Sequence, residues 1–171
     1  LPTIPAWADL SDEERRQSAR RMELYAAMVE HMDANIGKLI GYLKTTGLYD
    51  DTLIIFLSDN GPEGNIMEMG RPWDNSRFED WGKKGTFLQY GPAWAQVSAG
   101  PLRMFKGYMS EGGIRTPMIV SGNAVANPGR ISDAVTHVMD VPATILDAAG
   151  VAHPETFEGK PVAPLQGRSL A

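Results

Sequence analysis

The sequence predicts an α/β layered fold in which a mainly parallel sheet is flanked by helices. Three observations predict it. A long amphipathic segment runs from about residue 11 to Gly47. Two apolar runs, "TLIIFLS" at 52–58 and "TPMIVSG" at 116–122, lack the alternation of a half-exposed strand and read as strands covered on both faces. A second helical segment, "VPATILDAAG" at 141–150, follows them. Helices alternating with covered strands are the pattern of layered α/β proteins.

Residues 1–10 contain two prolines and read as an extended lead-in. Ser11 opens S-D-E-E, a capping box with Ser11 at the N-cap and Glu14 at N3. Met22, Tyr25, Val29, Met32, Ile36, Leu39 and Leu43 then recur in steps of three and four, which puts one apolar stripe on one helix face. Gly47 is the expected stop. Gly37 and Gly41, four apart within the pattern, suggest close approach to a neighbour. The stripe covers about three heptads, too few to favour a coiled-coil seam over a helix packed on a sheet. "DAVTHVMD" at 133–140 reads as a short strand or turn, with Asp140 as N-cap of the following helix, Pro142 in its first turn and Gly150 at its end. Residues 61–101 are rich in Gly, Pro, Trp and Asn and read as a long irregular region; loops of that length are usually functional or mobile. Residues 151–171 read as a loose tail.

Composition narrows the function classes. The chain has 171 residues, 43% hydrophobic and 22% charged, enough for one domain with a core. No apolar run approaches the ~20 residues that span a bilayer, and the first segment lacks the basic-then-apolar pattern of a signal peptide. The net charge of −5 argues against a general nucleic-acid binder. Arg15, Arg16, Arg20 and Arg21 cluster, but Asp12, Glu13, Glu14 and Glu23 interleave with them, as on a solvated helix face. The absence of cysteine removes disulfides, thiolate metal sites and cysteine nucleophiles; it leaves the compartment undetermined.

The chemistry-bearing candidates are few. Asp59-Asn60 leave the C-terminal end of "TLIIFLS", where ligands bind in open α/β sheets. A carboxylate and an amide carbonyl are hard oxygen donors suited to Ca²⁺ or Mg²⁺. Asp-Asn-Gly is equally good turn chemistry, and spacing alone leaves both readings open. Lys106, in "RMFKGYMSEGGIRTP", presents either a point charge for an anion or an ordinary exposed lysine. Arg115 is placed to pair with Glu111 or a more distant carboxylate. His31 falls at the boundary of the helix stripe, His137 reads as a satisfied core residue and His153 lies in the tail. The chain has no H-x-x-x-H, G-x-S-x-G, Walker or dinucleotide motif, so no complete nucleophile–base set can be assembled from it.

Four stretches, in order and at consistent intervals, resemble the sulfatase family of the alkaline-phosphatase-like superfamily, its bacterial arylsulfatases most of all. They are "RRMELYAAMVEHMDANIGKLIGYLKTTGLYDDTLIIFLSDNG", "YGPAWAQVSAGPLRMFKGYMSEGGIRTPMIV", "HVMDVPATILDAAG" and "LQGRSL". The resemblance implies that Asp59 and Asn60 are ligands of an active-site calcium and that Lys106 contacts the substrate's sulfate oxygens. It also implies a formylglycine nucleophile formed from a C/S-x-P-x-R motif, a pair of acidic metal ligands, further lysine and histidine residues, and a C-terminal subdomain. None of these is found in the chain. The expectation is therefore one partial domain over 1–171, an internal segment of a calcium-dependent sulfatase acting on sulfate esters and inactive alone. The alternatives are a phosphonate or phosphate ester hydrolase of the same superfamily, and a non-catalytic interaction domain that keeps the fold. A sheet lacking strands exposes an apolar edge, which predicts self-association or poor order in 61–101.

Overall fold

The computed structural model describes residues 3–67, 70–122, 125 and 128–170. Its elements are α1 (Asp12–Thr45), β1 (Ile54–Leu57), α2 (Gly91–Ala99), α3 (Glu111–Ile114), β2 (Met118–Ser121), α4 (Asp140–Ala148), β3 (Thr156–Phe157) and β4 (Lys160–Pro161). The α/β class is borne out. Contacts divide the chain into two compact units, Leu1–Ile40 with Asn60–Pro117, and Gly41–Asp59 with Met118–Ala171.

In the first unit α1 starts where the capping box puts it. The Ser11 N–H and hydroxyl both donate to the Glu14 carboxylate, at 2.8 and 2.7 Å, and the Glu14 N–H donates back to Ser11 Oγ at 3.3 Å. The arginine face beyond it is more than a solvated surface. Arg15, Arg16 and Arg20 make local ion pairs with Asp12, Glu13 and Glu23. Arg20 also donates to the Trp81 carbonyl at 3.1 Å, and Arg21 donates to the Gln89 carbonyl at 2.6 Å while lying 4.8 Å over the Trp81 ring. Partial burial holds the Arg21 guanidinium below its ordinary pKa. Tyr25 stacks on Tyr90 with centroids 4.5 Å apart, and the Trp94 indole N–H donates to Ser18.

These bonds tie residues 78–94 to the helix, so the 61–101 region is not simply irregular: it contains a 3-10 turn at Phe78–Asp80 and all of α2. Asn75 reinforces it by donating to the Phe87 carbonyl and accepting the Phe87 N–H, while the Trp81 indole donates to the Asn75 carbonyl. The Gly- and Pro-rich composition that reads as irregular does not rule out a helix within the region. Here Pro92 sits in the first turn of α2, where its missing N–H costs nothing. The buried hydrophobic residues described, Trp81, Ala95, Ala99 and Phe105, all belong to this unit.

In the second unit α1 ends as predicted. Gly47 has φ of +73°, its N–H bonds to the Lys44 carbonyl, and the Leu48 N–H bonds to the Leu43 carbonyl. That is the Schellman pattern, and Gly150 closes α4 in the same way through Asp147 and Leu146. The strands differ from expectation. β1 and β2 pair antiparallel, with Ile54 opposite Ser121 and Leu57 opposite Met118. They are also incompletely covered: Phe56 is 43% and Ile119 62% exposed. A non-alternating apolar run reports a strand suited to burial on two faces, and carries no information on its partner's direction. On β1 a groove lined by Leu53, Ile55, Leu57, Val141, Ile145 and Ala148 stays open.

Residues 133–137 form no strand, and His137 is exposed rather than in a core. Asp140 is the first residue of α4, with Met139 at the N-cap position. Its buried carboxylate accepts the His137 N–H at 2.8 Å and the Arg168 N–H at 2.9 Å. The segment expected as a loose tail is therefore anchored: Leu170 N–H also donates to Thr144 Oγ1, Ser169 donates to Asp147, and β3 pairs with β4 in a small hairpin.

The predicted stripe of α1 is covered only in part: Met22, Tyr25, Ile36 and Leu43 are half-buried. No residue of α1 is buried, Val29, Met32 and Leu39 are exposed, and a Cβ added at Gly37 or Gly41 would meet nothing within 4 Å. The close approach expected there is not made among the described residues. No helix of the described residues is long and apolar enough to cross a membrane.

Candidate metal and anion site

β1 delivers Asp59 and Asn60 two and three residues past its end at Leu57. Asp59 is exposed and closes one compact unit; Asn60 is half-buried and opens the other. The Asn60 amide nitrogen donates to the Gly61 carbonyl at 2.9 Å. With its nitrogen engaged by the backbone, the amide would meet a cation through its oxygen.

After Asn60 the chain enters a tight backbone crossing. The Gly61 N–H donates to the Gly113 carbonyl at 2.9 Å, and a Cβ on Gly61 would overlap the Gly112 carbonyl oxygen. Gly64 lies flat against the buried Phe105 ring, again with no room for a Cβ. The Lys106 N–H donates to the Pro62 carbonyl at 2.9 Å, and Gly112 N–H donates to the Arg103 carbonyl at 2.9 Å. The stretch 60–65 is thereby interlocked with the distant 103–108 and 111–113. The Gly112-Gly113 pair, read from sequence as a demand for tight backbone, is part of the lock.

The crossing brings Lys106 to the turn that leaves Asn60. Its ammonium lies 3.1 Å from Glu63 Oε2, with the two side chains 46% and 33% exposed. Glu63 Oε1 accepts the Asn65 N–H at 2.8 Å. That backbone bond, and then the Lys106 cation, hold the Glu63 carboxyl below its ordinary pKa. Sequence reasoning missed Glu63. The signal available was its position in "GPEGN": an acidic side chain between glycines, directly after the candidate ligands.

The other candidates are not brought here. Arg115 pairs with Glu111, at 3.6 Å, with both side chains more than half exposed. His31 is exposed on α1, and His153 lines a shallow recess with Pro154, Glu155 and Val162. Asp59 and Asn60 fit a hard cation such as Ca²⁺ by donor type. Among the described residues no group of three or more His, Cys, Asp or Glu side chains could hold a metal ion. Two donors fall short of the roughly six to eight oxygens that calcium takes.

Comparison with known proteins gives a consistent result. The sulfatase family model matches residues 5–151. An uncharacterized sulfatase of Schizosaccharomyces pombe is 45% identical over 95% of this chain, and an arylsulfatase of Klebsiella aerogenes is 37% identical over 96% of it. A steryl-sulfatase of Mus musculus is 32% identical over 82% of the chain. The matched regions make up 31%, 37% and 20% of those relatives, so the chain spans about a third or less of their length. With the family model covering both the "SDNG" turn and the Lys106 crossing, the chain belongs to the sulfatase family.

Proposed function

We propose that this chain is one part of a calcium-dependent sulfatase domain that hydrolyses aryl or alkyl sulfate esters. Asp59 and Asn60 act as two oxygen ligands of the calcium ion, and Lys106 contacts the sulfate oxygens. The observation that carries this reading is the backbone crossing: Lys106 N–H on the Pro62 carbonyl ties the lysine to the turn directly after Asn60. A cation-binding pair and a lysine bonded to the turn that follows it suit a tetrahedral anion whose charge grows as the ester bond breaks.

When bound, the ion would polarise the sulfate and neutralise that charge. Lys106 adds a compact positive charge with three N–H donors. The nucleophile, a formylglycine hydrate, and the remaining calcium ligands come from residues outside this chain, which has no cysteine to oxidise. The arylsulfatase and steryl-sulfatase relatives favour a sulfate ester over a phosphate or phosphonate ester.

The chain alone is inactive in this reading. Incubation with p-nitrophenyl sulfate and Ca²⁺ gives no turnover above the uncatalysed rate, and calcium titration gives weak, roughly millimolar binding. Turnover by the chain, or tight calcium binding, would sink the proposal of a shared site. The open groove on β1 and the exposed Val29, Met32 and Leu39 of α1 also support self-association of the isolated chain. A concentration-independent monomer in sedimentation velocity would exclude that part.

A further inference from the structure

We propose that Glu63 is the positioning residue for Lys106. It rests on the reading of Lys106 as the sulfate contact. A lysine side chain has four rotatable bonds, and an exposed one samples many rotamers. Here one turn holds both ends of Lys106. Its main-chain N–H bonds to the Pro62 carbonyl, and its ammonium meets Glu63 Oε2.

Glu63 is itself held, because its other oxygen takes the Asn65 N–H. The two carboxylate oxygens thus have different partners: one anchors the side chain to the backbone and the other aims the cation. Gly64, pressed against Phe105, lets the 60–65 and 103–108 segments approach closely. Glu63 contributes little to stability, since an ion pair this exposed is weak. Its effect is to order the ammonium before an anion arrives, the arrangement that favours transition-state electrostatics.

Among the described residues, the titratable groups facing Glu63 are Lys106 and, further off, Tyr90. Burial raises the Tyr90 hydroxyl above its ordinary value, so it stays neutral through the acid and neutral range. Lys106 is therefore the cation that reports Glu63's ionisation.

The test follows the Lys106 side chain by NMR in the 171-residue chain. In wild type, the Lys106 Cε and Nζ resonances should shift as Glu63 protonates, with a midpoint below 4.5, the ordinary glutamate value. Glu63→Gln should abolish that inflection and increase Lys106 side-chain mobility, while Glu63→Asp should restore part of the order. The Phe105 ring and Gly64 amide shifts verify that each variant keeps the crossing. Absence of the inflection in wild type, or equal Lys106 order in Glu63→Gln, would overturn the proposal.

A second arm compares sodium sulfate with sodium chloride at equal ionic strength. Sulfate should shift Lys106 in wild type, with several-fold weaker binding in Glu63→Gln. Tighter sulfate binding by Glu63→Gln would mean that Glu63 competes for the ammonium instead of aiming it, and would also overturn the proposal. No sulfate shift, with the acid inflection intact, would remove the sulfate contact assigned to Lys106 and leave the hold of Glu63 on it standing.

Discussion

Two carboxylates in this chain are built alike and placed differently. Glu63 and Asp140 each divide their two oxygens between separate partners. Asp140 is buried, and both its oxygens accept main-chain N–H groups, from His137 and Arg168. Glu63 is one-third exposed; one oxygen takes a main-chain N–H and the other a flexible cation. The difference teaches how to separate a structural carboxylate from a functional one. A buried carboxylate whose two oxygens both take main-chain N–H groups joins two segments. A carboxylate that spends one oxygen on backbone and one on a mobile ammonium at the surface controls that ammonium's position.

Each region also has a glycine that cannot carry a side chain, which gives the largest test. A Cβ on Gly61 would overlap the Gly112 carbonyl oxygen, and one on Gly167 would overlap the Met139 carbonyl oxygen. Backbone atoms cannot swing away as a side-chain tip can. Gly61→Ala and Gly167→Ala should each destabilise by about 3 kcal/mol, read by denaturant unfolding. Gly61→Ala should also disturb Lys106, and Gly167→Ala should not. If both variants disturb Lys106 equally, the two regions are not independent and the comparison breaks.

The next effect is pH-dependent. The Arg168 and His137 N–H groups hold the Asp140 carboxyl below its ordinary value of 3.8. A depressed folded-state pKa means that ionised Asp140 stabilises fully above that ordinary value. The contribution is lost as pH falls from it through the lowered folded value. Protection of the Arg168 and Leu170 amides, taken relative to their intrinsic exchange rates, should therefore fall on acidification within that window, and be lower in Asp140→Asn above it. Unchanged protection in Asp140→Asn would show that the tail is anchored without this carboxylate.

Gly37→Ala supplies the contrast to the two crowded glycines. Nothing lies within 4 Å of a Cβ there, and the position is interior to α1. It should stabilise by about 0.8 kcal/mol in thermal unfolding, the helix-propensity difference between the two residues. A destabilisation would mean that the helix face has a close neighbour in solution. The smallest expected effect is that of Glu63→Gln on stability, within about 0.5 kcal/mol. A loss several times larger would turn Glu63 into a second structural carboxylate and erase the contrast with Asp140.

Local chemistry was the legible part. Ser11 and Glu14 made a recognisable cap because both partners lie within one turn, and Gly47 and Gly150 marked helix ends for the same reason. Asp59, Asn60 and Lys106 stood out by residue type and place in the sequence, and the family resemblance gave them roles. Glu63 and the Asp140 anchor were not legible. Their partners lie 43 and 28 residues away, at Lys106 and Arg168, and no periodicity links such pairs. His137 was misread because an apolar neighbourhood in sequence was taken for a buried one in space.

Both ends of α1, the end of α4, the positions of β1 and β2 and the hard-oxygen pair past β1 were thus determined by the sequence, since each depends on contacts within a few residues. Only the tertiary structure decided that β1 and β2 run antiparallel, that the 61–101 region is bound to α1, and that Lys106 sits beside Glu63. Those outcomes depend on which distant backbones cross, and at Gly61 and Gly64 the crossing is set by the absence of a side chain, which carries no partner's address in the sequence.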